Sequence, residues 1–499
     1  MKKYINYILA AAASVVMFAA CDLNLVPNNA IAYEEGGQLI QTQANLDAFE
    51  NGILASFRGS QGGMYHFVEE FELDCWNAVA DYGNNYGSIH RTDYTFTSTD
   101  YDTEDLWEAC YGAMKNYNIL IAAADNVPEK LADKVQVVKG EALFFRAATY
   151  LRLAQHFGKT YGPNASTDLC VPLVLVYDQQ EKPERATVAA VYDQILADLK
   201  EASNLLANVK GSALAQKPTI DAVKALYARV YLDLKDYKNA ADCATAVINS
   251  NNYALASTAE EMEEVYQHDG GKESIYQGYC TMAEGAVGYG SLNNVTSDAT
   301  YGEAFRPYYI PTQTVIDAYD EGDLRFGCWF NNTVAVQING AYHVGEFYTF
   351  TKFRGNPALT TSPIRSASQA AKPFKIGEMY LIAAEAYCQS GNTASAMKYL
   401  NELQIARGAE ATEPTLDNIK KEWMKETIGE GMRLNCLKRW GQGFHGRPIQ
   451  NGAELCVMTG TSYEQKEFAA DSPYFQWPIP SYEMKVNKNL VQNAGYDGN

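Results

Sequence analysis

The stretch TIDAVKALYARVYLDLKDYKNAADCATAVIN (219–249) constrains the fold more than any other. Ile220, Val223, Tyr227, Val230, Tyr231 and Leu234 recur at spacings of three and four, so they share one helix face. Asp236 and Tyr237 interrupt the run, and Ala240, Ala241, Ala244, Val247 and Ile248 form a second stripe. Two amphipathic helices joined by a tight turn, with small alanines at the contact, predict a helical hairpin. One such hairpin cannot bury both its faces alone, so several must stack on one another.

The chain supplies the others. In FKIGEMYLIAAEAYCQSGNTASAMKYLNELQIARG (374–408), Gly391-Asn392 makes the turn and Gly408 follows the second helix as its C′ residue. An earlier pair begins with DTEDLWEACYGAMKNYNILIAAADNV and ends with VQVVKGEALFFRAATYLRLAQHFG, closed by Gly158. VAAVYDQILADLKEASNLL (188–206) adds a further helix. The roughly 34-residue unit with its Ala/Tyr pattern resembles a tetratricopeptide repeat. The predicted fold is mainly α, with repeats chiefly in 104–158, 188–250 and 373–440. Residues 72–98, 251–372 and 441–499 are the loop-rich parts, with a few short β-like pieces such as HVGEFYTFTKF. Long irregular stretches inside a folded unit usually carry function.

The front end predicts location. Lys2 and Lys3 precede an uncharged apolar run from Tyr4 to Ala20, too short for a standard spanning helix and ending in small residues. Cys21 directly after FAA has the form of a bacterial lipobox, with Phe18 where Leu is usual. The expectation is a signal peptide over 1–20, lipidation at Cys21, a polar tether over 21–40, and one folded unit over 41–499. An ordinary signal peptide cut near Ala20 is the alternative. Several acyl chains on one residue anchor stably, at about 0.8 kcal/mol per buried methylene. The formal charge of −20 argues against nucleic acid as a partner. The nine cysteines after Cys21 are widely spaced with no C-x-x-C pair, which predicts neither a disulfide framework nor a zinc site.

Taken in order, these pieces resemble the SusD/RagB family of outer-membrane nutrient-binding lipoproteins. The resemblance runs nearly end to end. It rests on Cys21, GEALFFRAATYLRLAQHFG (140–158) followed by VPLV (171–174), the two hairpins above, EGMRLNCLKRWG (430–441) and WPIPSYEMKVNKNLVQNAGY (477–496). Asn435 and Ala494 stand where the family often has Asp and Pro. The resemblance implies about four tetratricopeptide-like repeats packed against a loop-rich half that carries the ligand site. It also implies a TonB-dependent outer-membrane transporter as partner, a nutrient as ligand and a position on the cell exterior; the resemblance does not name the nutrient, and the expectation here is an oligosaccharide.

A sugar ring offers an apolar C–H face and a rim of hydroxyls, so its site wants exposed aromatic rings beside Asn, Asp, Gln or Arg. ELDCWNAVADYGNNYGSIH (72–90) offers Trp76, Tyr82 and Tyr86 beside Asn77, Asp81, Asn84 and Asn85. Trp76 is equally suited to the core. The second candidate, residues 276–309, holds six tyrosines among Gly, Asn, Ser and Thr; Tyr289, Asn293, Asn294 and Tyr301 are the favoured contacts. These tyrosines could instead pack the loop onto the repeats.

Other patterns carry less. GQGFHG (441–446) fits G-x-G-x-x-G but follows a helix and opens none. DYDTED (100–105) lacks the Gly and Glu of a calcium loop and reads as a solvated helix N-terminus. Arg433, Arg439 and Trp440 read as packing and ion pairing. No nucleophile elbow, P-loop or H-E-x-x-H occurs. The expectation is a binding protein without catalytic residues, cofactor or metal. Peptide capture within the same family is one alternative, a glycoside hydrolase with paired carboxylates another, and a pure scaffold a third.

Overall fold

The helical period of the sequence becomes a run of antiparallel neighbours. The computed structural model describes residues 39–61, 73–81, 97–289, 292, 294–460 and 467–496. Its helices are α1 Gln43–Ser60, α2 Tyr101–Ala123, α3 Ala132–Phe157, α4 Val188–Leu205, α5 Ile220–Asp233, α6 Tyr237–Ile248 and α7 Ala259–Gln267. They continue with α8 Gln313–Ile316, α9 Leu324–Trp329, α10 Ile376–Gln389, α11 Thr393–Ala406, α12 Leu416–Thr427, α13 Arg433–Trp440 and α14 Ser481–Val486. α2 packs on α3, α3 on α4, α5 on α6, and α10 on α6, α11 and α12. This is the mainly α, hairpin-stacked architecture that the periodicity predicts.

The turns explain why the hairpins close where they do. Asp236 caps α6 by accepting from the Asn239 N–H at 3.2 Å, directly after Lys235 in the left-handed region at φ 60°. Gly391 sits at φ 78° before Asn392, which caps α11 through the Ser395 N–H. Gly408, at φ 69°, follows α11 as its C′ residue. The burial of α5 is not centred on its predicted stripe: Val223 and Val230 are buried, but Ile220, Tyr227, Tyr231 and Leu234 are half-buried. Ala222, Ala225, Leu226 and Leu232 are buried in their place, because α5 lies between helices on one side and the loop-rich half on the other.

The N-terminus of α2 departs from the sequence reading. Asp102 and Thr103 are buried rather than solvated. Burial, with Asp100 and Asp105 nearby, pushes the Asp102 carboxyl up to about 7.

The loop-rich half holds short strands: β1 Trp76–Ala78, β2 Ser274–Tyr276, β3 Val295–Asp298, β4 Gly302–Phe305, β5 Tyr309–Pro311, β6 Ala335–Ile338, β7 Ala341–His343 and β8 Phe374–Lys375, besides several two-residue pairs. β1 pairs antiparallel with β5, and β2 with β8. β3, β4, β6 and β7 form one four-stranded sheet in that order, with β4 and β6 parallel.

A buried ion network ties this half to the helices. Arg325 pairs with Asp323 at 2.8 Å, Glu422 at 2.6 Å and Glu426 at 2.9 Å. Arg407 holds Glu273 at 2.6 Å and Glu426 at 2.5 Å, while Glu430 joins Lys352 at 2.7 Å and Lys375 at 2.5 Å. Arg407 and Arg325, with Lys352 to a lesser degree, hold the Glu426 carboxyl far below the usual carboxylate range despite its burial. Charges this deeply buried persist only when paired, and removing one partner typically costs about 3–5 kcal/mol. Arg433 and Arg439 are structural as predicted, on Asp74 at 2.5 Å and Glu385 at 2.9 Å. Trp440 Nε1 donates to Glu385 at 2.9 Å. Gly441 ends α13 in the left-handed region, and the next element, Phe444–His445, is a short strand rather than a helix.

Candidate functional site

Strand pairing brings the two aromatic stretches of the sequence together. β1, from the first, aligns Trp76 with Pro311, Asn77 with Ile310 and Ala78 with Tyr309 of β5, which continues from the second. Just beyond β1, Asp81 accepts from the Asn339 backbone N–H at 2.7 Å, and the Asn339 side chain donates to the Ala80 carbonyl at 2.7 Å. The end of β1 therefore meets the tip of the β6–β7 hairpin.

That hairpin belongs to the four-stranded sheet, whose two faces differ. Directly paired residues share a face, and alternate residues change face. Phe305, Val336 and Ile338 point into a small core with Val79, Ile310, Phe347 and Val457. Gln337 and its partner Tyr342 point the other way, toward solvent. The β3–β4 connection places Tyr301 beside them. The Tyr301 and Tyr342 rings lie 5.0 Å apart between centroids at 40°, and both are exposed, at 47% and 37%.

Asp298 organises this pair. Its carboxylate accepts from the Thr300 N–H at 2.8 Å and the Tyr301 N–H at 2.9 Å, which fixes the turn. It also accepts from the Tyr342 hydroxyl, joining the two hairpin tips. The Tyr342 hydrogen bond and the two backbone donors hold the Asp298 carboxyl below its ordinary range, and the same bond raises the Tyr342 hydroxyl. The Arg306 side chain is exposed and acts electrostatically on that hydroxyl. Two open ring faces beside a carboxylate, an amide and a guanidinium make a platform for a C–H face rimmed with hydroxyls.

The predicted contacts fare differently. Tyr301 is on the platform. Asn294 is half-buried at the start of β3, its carbonyl accepting from the Arg306 N–H at 2.6 Å. Trp76, Asn77 and Tyr289 are core residues, at 0%, 1% and 6% exposure. The Trp76 ring packs edge-on against Phe350 at 5.1 Å, and the Asn77 side chain donates to the Pro448 carbonyl at 3.3 Å. Tyr289 stacks on Phe353 at 4.0 Å and 23°. None of the three has a side-chain face open to solvent; Trp76 and Tyr289 are part of the main hydrophobic core. Cys21, Tyr82, Asn84, Asn85, Tyr86 and Asn293 lie outside the described residues.

Tyr342 is absent from the predicted contacts, yet a local signal for it exists. Asn339-Gly340 is the dipeptide favoured in two-residue hairpins, flanked by alternating residues, and both adopt positive φ, at 48° and 83°. Reading that turn would have placed Tyr342 on the solvent face opposite Val336 and Ile338. Among the described residues, no cluster of His, Cys, Asp or Glu is arranged to hold a metal ion, and no helix is long and apolar enough to cross a membrane.

Comparison with known proteins agrees with the architecture. A family profile described as starch-binding, associating with outer membrane, matches residues 27–232, and the SusD family profile matches residues 248–496. SusD-like protein P2 of Formosa agariphila is 26% identical over 99% of this chain and 100% of its own. The starch-binding protein SusD of Bacteroides thetaiotaomicron is 30% identical over 25% of this chain and 21% of its own. Among solved structures, a SusD superfamily protein from B. thetaiotaomicron superposes with a TM-score of 0.73 at 26% identity, covering 90% of this chain and 99% of that one. A putative sugar-binding protein from Bacteroides vulgatus shares the fold, with a TM-score of 0.75 at 24% identity over 92% and 100% of the two chains.

Proposed function

The chain belongs to the SusD family, and from that premise we propose that it captures oligosaccharides at the outer membrane and passes them to a partner TonB-dependent transporter. The observation that carries the reading is the exposed Tyr301–Tyr342 pair tied through Asp298. A pyranose laid on these rings buries its C–H face, while Asp298, Gln337 and Arg306 are placed for its hydroxyls. Burying that C–H face contributes about 25 cal/mol for each Å² of apolar surface taken from water. The resulting affinity is modest, which suits capture followed by release.

In this reading the protein makes and breaks no bond. Lipidation at Cys21 holds it on the outer leaflet beside the transporter, and the polar tether that follows ends short of residue 40, because Leu39 and Ile40 already pack into the core. Calorimetric titration with neutral oligosaccharides and with peptides tests the proposal. Saturable binding to one sugar class, with the sugar recovered intact, supports it. Binding to peptides alone, or hydrolysis of the sugar, overturns it. Cys21→Ser should move the protein from the membrane fraction to the soluble fraction, read by fractionation and immunoblotting.

A further inference from the structure

The arginines of this chain are matched, with one exception. Some sit in ion pairs, as Arg58 does with Glu284 and Arg354 with Glu303; others donate to backbone carbonyls, as Arg152 and Arg185 do. Among the described residues, Arg306 is the one arginine whose guanidinium makes neither an ion pair nor a hydrogen bond. It is exposed, in a chain with 60 acidic residues against 40 basic ones, so acids to answer it are not scarce. Surface ion pairs contribute little to stability, so the open guanidinium is no defect of the fold. It is a free donor fork.

The sheet fixes where that fork stands. The Arg306 N–H donates to the Asn294 carbonyl at 2.6 Å, which extends the β3–β4 ladder one residue past the Val295–Phe305 pair. Phe305 points into the small core, so Arg306, the next residue, points to the opposite face. Continuing the β4–β6 register from Phe305–Val336 sets Arg306 beside Gln337, whose own partner across the sheet is Tyr342. Arg306, Gln337 and Tyr342 therefore form one row on the solvent face. Asp298 does not answer the guanidinium. Its carboxylate is engaged by the Thr300 and Tyr301 N–H groups and the Tyr342 hydroxyl, and no ion pair joins it to Arg306.

A ligand laid on the Tyr301 and Tyr342 rings thus meets a planar cation whose donors are all open. A carboxylate fits such a fork through two parallel hydrogen bonds, and a sulfate ester offers the same paired oxygens. A neutral hydroxyl takes one donor and leaves the charge unanswered. We propose that Arg306 is the specificity-determining residue of the platform, selecting sugars that carry an anionic group, either a carboxylate or a sulfate ester. This rests on the platform reading above and deepens it by naming the ligand class. The formal charge of −20 does not stand against it. At physiological salt, charges further than about 8 Å from the bound group are largely screened, so the neighbouring guanidinium outweighs the distant acids.

The test titrates the full chain, purified in detergent, with matched pairs of short oligosaccharides. Galacturonate, glucuronate and mannuronate trimers are each set against their neutral methyl esters, and a sulfated galactose trimer against the unsulfated one. The quantity read is the ratio of affinities within a pair. At least one anionic member should bind about tenfold more tightly than its neutral counterpart, and the ratio should shrink as salt rises. Whether a uronate pair or the sulfate pair shows the preference tells the two anions apart. Arg306→Gln should bring the ratio to about one, and Arg306→Lys, which keeps the charge without the fork, should retain only part of it. Melting profiles check that both variants fold. Ratios near or below one in every pair, or a preference that survives Arg306→Gln, overturn the inference. Neutral trimers that bind, and lose binding in Tyr301→Ala, without any anionic preference would sink it while the platform reading stands. Binding of no sugar at all would sink the platform reading and this inference with it.

Discussion

The hydroxyl of Tyr342 donates to the carboxylate of Asp298, so one hydrogen bond joins two hairpin tips from different parts of the chain. Tyr301→Ala and Tyr342→Ala should each weaken oligosaccharide binding by about 1–1.5 kcal/mol, or roughly tenfold. Tyr342→Phe keeps the ring and frees the carboxylate, so its loss should be smaller. Calorimetry on the three variants separates stacking from hydrogen bonding.

The Asn339-Gly340 turn sets the position of Tyr342. Gly340 stands at φ 83° with open space around its Cα, so a side chain there meets no neighbour and the penalty is purely conformational. Gly340→Val should cost about 1–3 kcal/mol locally. Ligand affinity should fall while the cooperative melting of the helices stays nearly unchanged, as read by calorimetry beside circular dichroism.

Trp76→Ala tests the opposite property. With the ring fully buried against Phe350, truncation should destabilise the protein by about 3–5 kcal/mol through the cavity it leaves. Denaturant midpoints report this. A variant that stays as stable as the parent yet loses sugar binding would contradict the core placement.

Asp102 predicts a pH dependence. Its folded value of about 7 lies above the ordinary 3.8, so the fold favours the protonated form. That stabilisation is complete below about pH 4 and is lost as the pH rises through 7. Asp102→Asn stays neutral throughout. Its stability advantage over the parent should be near zero at pH 4 and grow to on the order of 2–4 kcal/mol at pH 8, read from denaturation at both pH values.

The helical repeats are legible in the sequence because their signal is local: the stripe from Ile220 to Leu234 and the turn at Gly391-Asn392 need no distant partner. The platform is harder to read. Tyr301 and Tyr342 meet only because β4 and β6 pair in parallel, a long-range choice that no local pattern encodes. Trp76 has the neighbours of a loop residue, and its burial depends on Pro311 and Phe350, far along the chain. Nor does the sequence announce the ion network, since Glu273, Arg325, Arg407 and Glu426 resemble ordinary surface charges until the fold assembles them.

That network has a consequence for how such a protein can diversify. It clamps the bases of the loop-rich half to the repeats, while Tyr301 and Tyr342 sit at hairpin tips whose backbones close on themselves. A tip can be rewritten without disturbing the clamp. Ligand preference is then an exchangeable part, and transplanting residues 298–302 and 337–342 between relatives should carry specificity with them while the chassis keeps its shape.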